Sequence, residues 1–264
     1  MGYKIAIVGK GGVGKTTIAG TLSRLFARNG YRVIAIDADP SMNLSTAIGI
    51  SNEDLKKIKP ISEQKKIIEE RAGTQGGVFV LNPKVDDLPD KFQVIGPDGV
   101  RLLVMGTVQT PASGCMCPDN ALIRALIYHL ILETKDVVIL DMVAGIEHLG
   151  RGTAKAVDAM IIVVEPGNRS IVLAKTIRDL ASELGIKKIF LVGNKISSDF
   201  ELDFIKNKAK ELGIEVLSNI PLDQKIKEAD LKSIAPIDND ENSKGIEVIK
   251  YLYEQIIMNI EKRV

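Results

Sequence analysis

The chain of 264 residues has little cysteine, little net charge and no long apolar run. It contains two cysteines, Cys115 and Cys117, both in the stretch GCMCPD. A chain of this length buries a sizeable core on its own, and the expected compartment is the reducing cytoplasm, so a structural disulfide is not anticipated. Lysines and arginines (35) nearly balance aspartates and glutamates (34), giving a formal charge of +1. That balance argues against a nucleic-acid binder or a protein held to anionic lipid by charge alone. The opening MGYKIAIVGKGG has too short an apolar stretch for a signal peptide, and Gly2 lacks the myristoylation pattern because position 6 is alanine. ALIRALIYHLIL is broken by Arg124 and His129 and is short for a membrane span, so it reads as a buried helix. Low-complexity segments and fixed-period repeats are absent.

What is present is an alternation of short apolar runs with helix-sized segments. KIAIVG, RVIAID, FVLNP, RLLVMG, VVILD, AMIIVVEP, KIFLVGN and IEVLSNIP are rich in valine and isoleucine at successive positions. Such runs are expected of parallel strands covered on both faces. Between them lie TTIAGTLSRLFARNG, NALIRALIYHLILE, SIVLAKTIRDLASELG and ELDFIKNKAKELG, three of which stop at Gly30, Gly185 and Gly213. The pattern predicts an α/β fold, one doubly wound and mostly parallel sheet with helices on both faces, in a single domain over residues 1–264. SIAPIDNDENS, residues 233 to 243, reads as a surface loop before a final helix.

GKGGVGKTT, Gly9 to Thr17, fits the phosphate-loop pattern G-x-x-x-x-G-K-[ST] between a strand and a helix. Glycines let the backbone wrap a phosphate, and the helix N-terminus adds partial positive charge. Gly11, Gly12, Val13, Gly14, Lys15, Thr16 and Thr17 are therefore the expected nucleotide cradle. Lys15 belongs on the β- and γ-phosphates, and the Thr16 hydroxyl on Mg²⁺. Two strand ends supply acids. RVIAIDADPSMNL puts Asp37 and Asp39 where strands of an open parallel sheet face their ligand, and VVILD puts Asp141 there as the Mg²⁺-shell carboxylate. Asp37 is equally readable as a direct participant or as a strand-end support.

Lys10 has no task in an ordinary phosphate loop. The pattern K-G-G-x-G-K-T resembles the deviant Walker A ATPases, the family of MinD, the nitrogenase iron protein and the ATPases that target tail-anchored proteins. The resemblance implies a P-loop fold, ATP and ADP as ligands, and a homodimer in which Lys10 reaches the partner's nucleotide. It implies that Asp39, the acid before Pro40, orients the attacking water and helps hold Mg²⁺. It also implies that Asn43 senses the γ-phosphate, and that Gly145 of DMVAGIEHLG lies near it in a second switch. His148 and His129 read as structural. At the base, FLVGNK starts like the guanine-reading N-K-x-D motif, but position 197 is serine. Without that carboxylate ATP is favoured over GTP, with Asn194 bonding adenine and NIPLD, which includes Pro221 and Asp223, closing over it.

In an extended segment residues i and i+2 point the same way, so Cys115 and Cys117 can grip one ion. A tetrahedral or square-planar site needs four ligands, and a twofold dimer brings the second pair. Soft thiolates suit Ni²⁺ or Zn²⁺, leaving Mg²⁺ to the phosphates. C-x-C on this loop, followed by DMVAGIEHLGRGTAKAVD and preceded by LNPKVDDLPDKF, resembles the CooC-type ATPases over nearly the whole chain. That family inserts nickel into carbon monoxide dehydrogenase, and a related accessory protein serves acetyl-CoA synthase. The resemblance implies a cytoplasmic, dimeric metallochaperone with ATP hydrolysis controlling dimerisation and metal handling, and a nickel enzyme as client. An iron–sulfur electron donor is disfavoured because DMVAGIEH holds no cysteine, and an iron–sulfur carrier because residues 118 to 264 hold none. The alternative is a MinD-like ATPase cycling on a membrane or protein partner without metal delivery. The last helix, with apolar residues at 249, 252, 256 and 260, is the feature that reading needs, yet its glutamates argue for packing on the protein.

Overall fold

A computed structural model of the chain describes residues 2–39, 41–73, 80, 82–106, 118–142, 149 and 151–262. Eight strands form one sheet: β1 (Lys4–Gly9), β2 (Val33–Ala38), β3 (Val94–Ile95), β4 (Arg101–Val104), β5 (Val137–Met142), β6 (Ala159–Val164), β7 (Ile189–Ile196) and β8 (Glu215–Pro221). Their order is β3-β4-β2-β5-β1-β6-β7-β8, parallel throughout except for the antiparallel β3–β4 pair. Strands β1, β2, β5 and β6 are buried along their whole length, which is why they read as unbroken apolar runs rather than as alternating ones.

Each face of the sheet carries its own core. On one side Ala6, Val8, Leu140 and Ile162 pack under the helices Lys65–Ala72, Pro118–Leu132, Asn168–Leu184 and Asp199–Leu212. On the other, Ile5, Ile7, Ile139 and Ile161 pack under Lys15–Arg28, Leu44–Ile48 and the final helix Lys244–Glu261. The expected doubly wound sheet with helices on both faces is therefore what the chain builds. Gly185 and Gly213 close their helices in the left-handed conformation, and Gly30 has φ 84° just past Asn29.

Two readings of the sequence need correction. FVLNP is not a strand among its described residues, and the sheet edge is instead the two-residue β3. Pro83 has no N–H for a ladder, so that apolar run lacks a donor where a strand would need one. The segment 233 to 243 is not merely a surface loop. It contains the turn Pro236–Asn239, and Ala235 and Ile237 enter the core beside the final helix.

Candidate functional site

The end of β1 turns sharply into the phosphate loop, and the helix Lys15–Arg28 starts inside it. Gly14, the residue before that helix, has φ 97°, a left-handed value that costs an L side chain energy. A Cβ there would also stand 2.2 Å from Asn194 Nδ2. Gly11 and Gly12 are exposed, and a Cβ on either would meet nothing within 4 Å, so this part of the loop lies open to a ligand.

Around the loop the sheet's C-terminal strand ends bring carboxylates together. Lys15 is 4% exposed, with Nζ 3.6 Å from Asp39 Oδ2 and donating to the Lys10 carbonyl at 3.4 Å. The other Asp39 oxygen accepts from the Ser41 amide at 2.9 Å and the Ser41 hydroxyl at 2.6 Å. Burial alone would raise the Asp39 pKa, but the two Ser41 bonds and the Lys15 ammonium outweigh it and hold the carboxyl below its ordinary value.

Thr16 Oγ1 donates to Asp141 Oδ2 at 2.6 Å, while Asp141 Oδ1 is buried with no hydrogen-bond partner among the described residues. Burial pushes Asp141 up to about 7 against the Thr16 bond. An orphaned carboxylate oxygen beside a threonine hydroxyl and a second carboxylate is an all-oxygen donor set, which fits a Mg²⁺ ion with its hydration shell. Thr16, Asp141 and, through water, Asp39 are the residues that would hold that ion beside the phosphates. Bound there, it would supply charge neutralisation to the phosphate oxygens.

Asp37 pairs in register with Asp141 on the neighbouring strand and is fully buried. Its Oδ1 accepts from the Asp39 amide at 3.1 Å and its Oδ2 from the Leu44 amide at 3.0 Å. With each oxygen accepting a backbone amide, Asp37 supports the Asp39 loop from below. Burial raises its pKa to about 6 in spite of those two bonds.

Lys10 pairs with a different acid from Lys15. Its side chain is 42% exposed, and Nζ lies 3.3 Å from Glu165 Oε1 just beyond the end of β6. Asn43 is exposed at the start of Leu44–Ile48, with no capping bond from its side chain. Thr17 is half-buried in the first turn of Lys15–Arg28.

The expected base-contact residues also make contacts within the protein. Asn194 Nδ2 donates to the Val13 carbonyl at 2.7 Å, so this side chain braces the phosphate loop. Its neighbour Lys195, at φ 60°, donates to the Gly12 carbonyl at 2.6 Å. Pro221 lies across from Ile196, and the Leu222 amide donates to the Ile196 carbonyl at 2.9 Å, which holds the NIPLD loop against the end of β7. Asp223, at the end of NIPLD, uses both of its oxygens within the protein. Oδ1 accepts the Lys225 amide at 2.7 Å and Oδ2 the Gly245 amide at 2.6 Å, so it joins the starts of two helices. Gly145, His148, Cys115 and Cys117 lie outside the described residues.

Sequence reasoning passed over Glu165, Ser41 and the Lys195 contact. A signal for Glu165 existed: AMIIVVEP ends an apolar run on an acid followed by proline, as the stretch carrying Asp37 and Asp39 does.

Comparison with known proteins gives the family. Residues 4–237 match the model of the CobQ/CobB/MinD/ParA nucleotide-binding domain. Carbon monoxide dehydrogenase accessory protein CooC of Rhodospirillum rubrum is 47% identical over 238 residues, 89% of each chain. An uncharacterized ATP-binding protein of Methanocaldococcus jannaschii is 47% identical over 262 residues, 96% of this chain and 97% of its own. Among solved structures, a chain of the MinC:MinD cell division protein complex of Aquifex aeolicus superposes with TM-score 0.71 at 20% identity, covering 97% of this chain and 96% of that one. MinD of Pyrococcus horikoshii with Mg-ADP gives 0.70 at 18% identity over the whole of both chains. The chain belongs to the CobQ/CobB/MinD/ParA family of nucleotide-binding domains, and within it to the CooC-type ATPases.

Proposed function

We propose that the chain is a single-domain, Mg²⁺-dependent ATPase that works as a homodimeric metallochaperone for a nickel enzyme. One observation carries the ATPase part. Lys15 with Asp39, and Thr16 with the half-satisfied Asp141, converge on an open glycine loop at the ends of parallel strands. In this reading Lys15 and the loop amides bind the β- and γ-phosphates. Asp39 exchanges Lys15 for an attacking water, holding it by hydrogen bond for in-line attack. Lys10 enters the partner's site and neutralises charge developing on the transferred phosphoryl group. Asn43 and Gly145 are the γ-phosphate sensors. Adenine lies between the Asn194 and Pro221 loops, with the Asp223 clamp fixing the second of them.

The client rests on the relative, and the cargo on the paired cysteines. CooC, by its name, serves carbon monoxide dehydrogenase, and 47% identity over 89% of both chains supports the same client class here. Cys115 and Cys117 are the only thiols the chain can offer to Ni²⁺ or Zn²⁺, and two protomers together reach a four-ligand set. Work in the cytoplasm suits such thiolates.

The test combines native mass spectrometry with turnover. With ATP and Ni²⁺ or Zn²⁺, the dimer should carry one shared ion, and Cys115→Ala/Cys117→Ala should carry none. Lys15→Ala should lose nucleotide binding. Lys10→Ala should bind nucleotide yet hydrolyse it more slowly, by roughly 100-fold or more, the scale of a lost charge-stabilising contact. Metal retained in the double variant, or wild-type turnover in Lys10→Ala, would overturn the corresponding half of the proposal.

A further inference from the structure

Two lysines leave the same phosphate loop and meet different acids. Lys15 is buried against Asp39, while Lys10 turns to Glu165 just past the end of the neighbouring strand β6, 3.3 Å away. Glu165 is held for that contact. Its own amide donates to the Ser170 hydroxyl at 3.2 Å, Ser170 is 3% exposed, and the helix Asn168–Leu184 anchors it. Lys10 cannot both stay on Glu165 and reach a nucleotide bound to another protomer, because one ammonium with a single pair of positions is being asked to occupy two places. The same short strand-to-helix turn therefore sets how much of the chain has Lys10 free.

We infer that Glu165 is a positioning residue that latches Lys10 within its own protomer and sets the affinity of the ATP-dependent dimer. The inference rests on the dimeric reading above and adds its control element. A carboxylate at partial exposure makes a weak pair, so the latch opens readily when phosphate competes. It also explains a need of the proposed cycle. An exposed, unneutralised Lys10 would attract anions or a partner at any time, whereas a latched one is released only when the opposing protomer presents more negative charge than Glu165 does. ATP, carrying a γ-phosphate that ADP lacks, is the ligand that does so. Because each dimer must open two latches, a modest bias on each is squared in the apparent dimer constant.

Glu165→Gln tests this directly. The change is isosteric, keeps the backbone amide on Ser170, and removes only the charge facing Lys10. Dimerisation is read by sedimentation velocity with ATP, for wild type and variant, at low and at high salt. The variant should dimerise roughly three- to tenfold more tightly at low ionic strength. The ratio should shrink towards one at about 0.5 M salt, where the exposed Lys10–Glu165 pair is screened in the wild type. A ratio near one at low salt, a weaker variant dimer, or a ratio indifferent to salt would overturn the latch. Absence of any ATP-dependent dimer in the wild type would instead overturn the dimeric reading, and the latch with it.

Discussion

At the scale of single residues, the sharpest contrast is between charges that serve the nucleotide and charges buried for the fold alone. Lys4, at the opposite end of β1 from the phosphate loop, is 5% exposed. Its ammonium donates to the backbone carbonyls of Thr134 at 2.9 Å and Asp136 at 2.5 Å. Burial lowers its pKa from 10.5 to about 8, against the opposing pull of Asp136 and Asp158. Below about 8 both folded and unfolded chains hold the proton, and the burial cost is fully present. Between about 8 and 10.5 the folded chain has released it while the unfolded chain has not, so stability at this site rises with pH across that window. Lys4→Met removes the rise. In urea unfolding at about pH 7 and about pH 9.5, the wild type should gain stability relative to Lys4→Met at the higher pH. An unchanged difference would show that Lys4 stays charged in the folded chain.

At the scale of elements, the helix Lys15–Arg28 joins the phosphate loop to the segment after Asp39, and Gly20 is where the two touch. A Cβ on Gly20 would lie 2.7 Å from the backbone carbonyl carbon and oxygen of Ala47 in Leu44–Ile48. Propensity alone favours Gly20→Ala by about 1 kcal/mol in a helix interior. Here backbone stands in the way, and backbone does not rotate aside as a side chain does. We expect Gly20→Ala to cost roughly 1–3 kcal/mol in denaturant unfolding, and to weaken ATP binding by shifting the Asp39–Asn43 loop that Leu44–Ile48 anchors. A stabilised variant would mean that the helix pair has slack. Sequence reading could not have found this contact, because glycine inside a helical pattern carries no mark of what passes beside it. The phosphate loop was legible for the opposite reason. Its chemistry is confined to nine consecutive residues, Gly9 to Thr17, whose spacing is itself the signal. Glu165 and Ser41 reach the loop only through the sheet order and the Asp39 turn, which a linear pattern does not state. β3 was missed because two residues show no period, and among the described residues β4 gives it the only ladder it has.

At the scale of the whole molecule, the sheet separates two kinds of work. Its C-terminal strand ends carry Asp37, Asp39, Asp141 and the phosphate loop, while the other end closes on aromatic and ionic contacts. Tyr3, Phe26, Tyr31 and Tyr253 meet there, Phe26 and Tyr253 edge to face at 4.7 Å. Tyr253 belongs to the final helix, and this decides what its apolar stripe is for. Ile249, Leu252, Ile256 and Ile260 are all buried in the core they share with Phe26 and Leu22. An amphipathic helix whose apolar face is already covered has no face to give a bilayer unless it first leaves the protein, which exposes that core. No helix among the described residues is long and apolar enough to cross a membrane. Two measurements separate packing from lipid binding. Leu252→Ala should cost about 2–5 kcal/mol of unfolding free energy, as expected for a fully buried leucine. The wild type should stay in the supernatant with anionic vesicles whether ATP or ADP is present. ATP-dependent pelleting, together with a Leu252→Ala variant as stable as the wild type, would mean that the helix undocks to reach lipid, and would favour the membrane-cycling alternative.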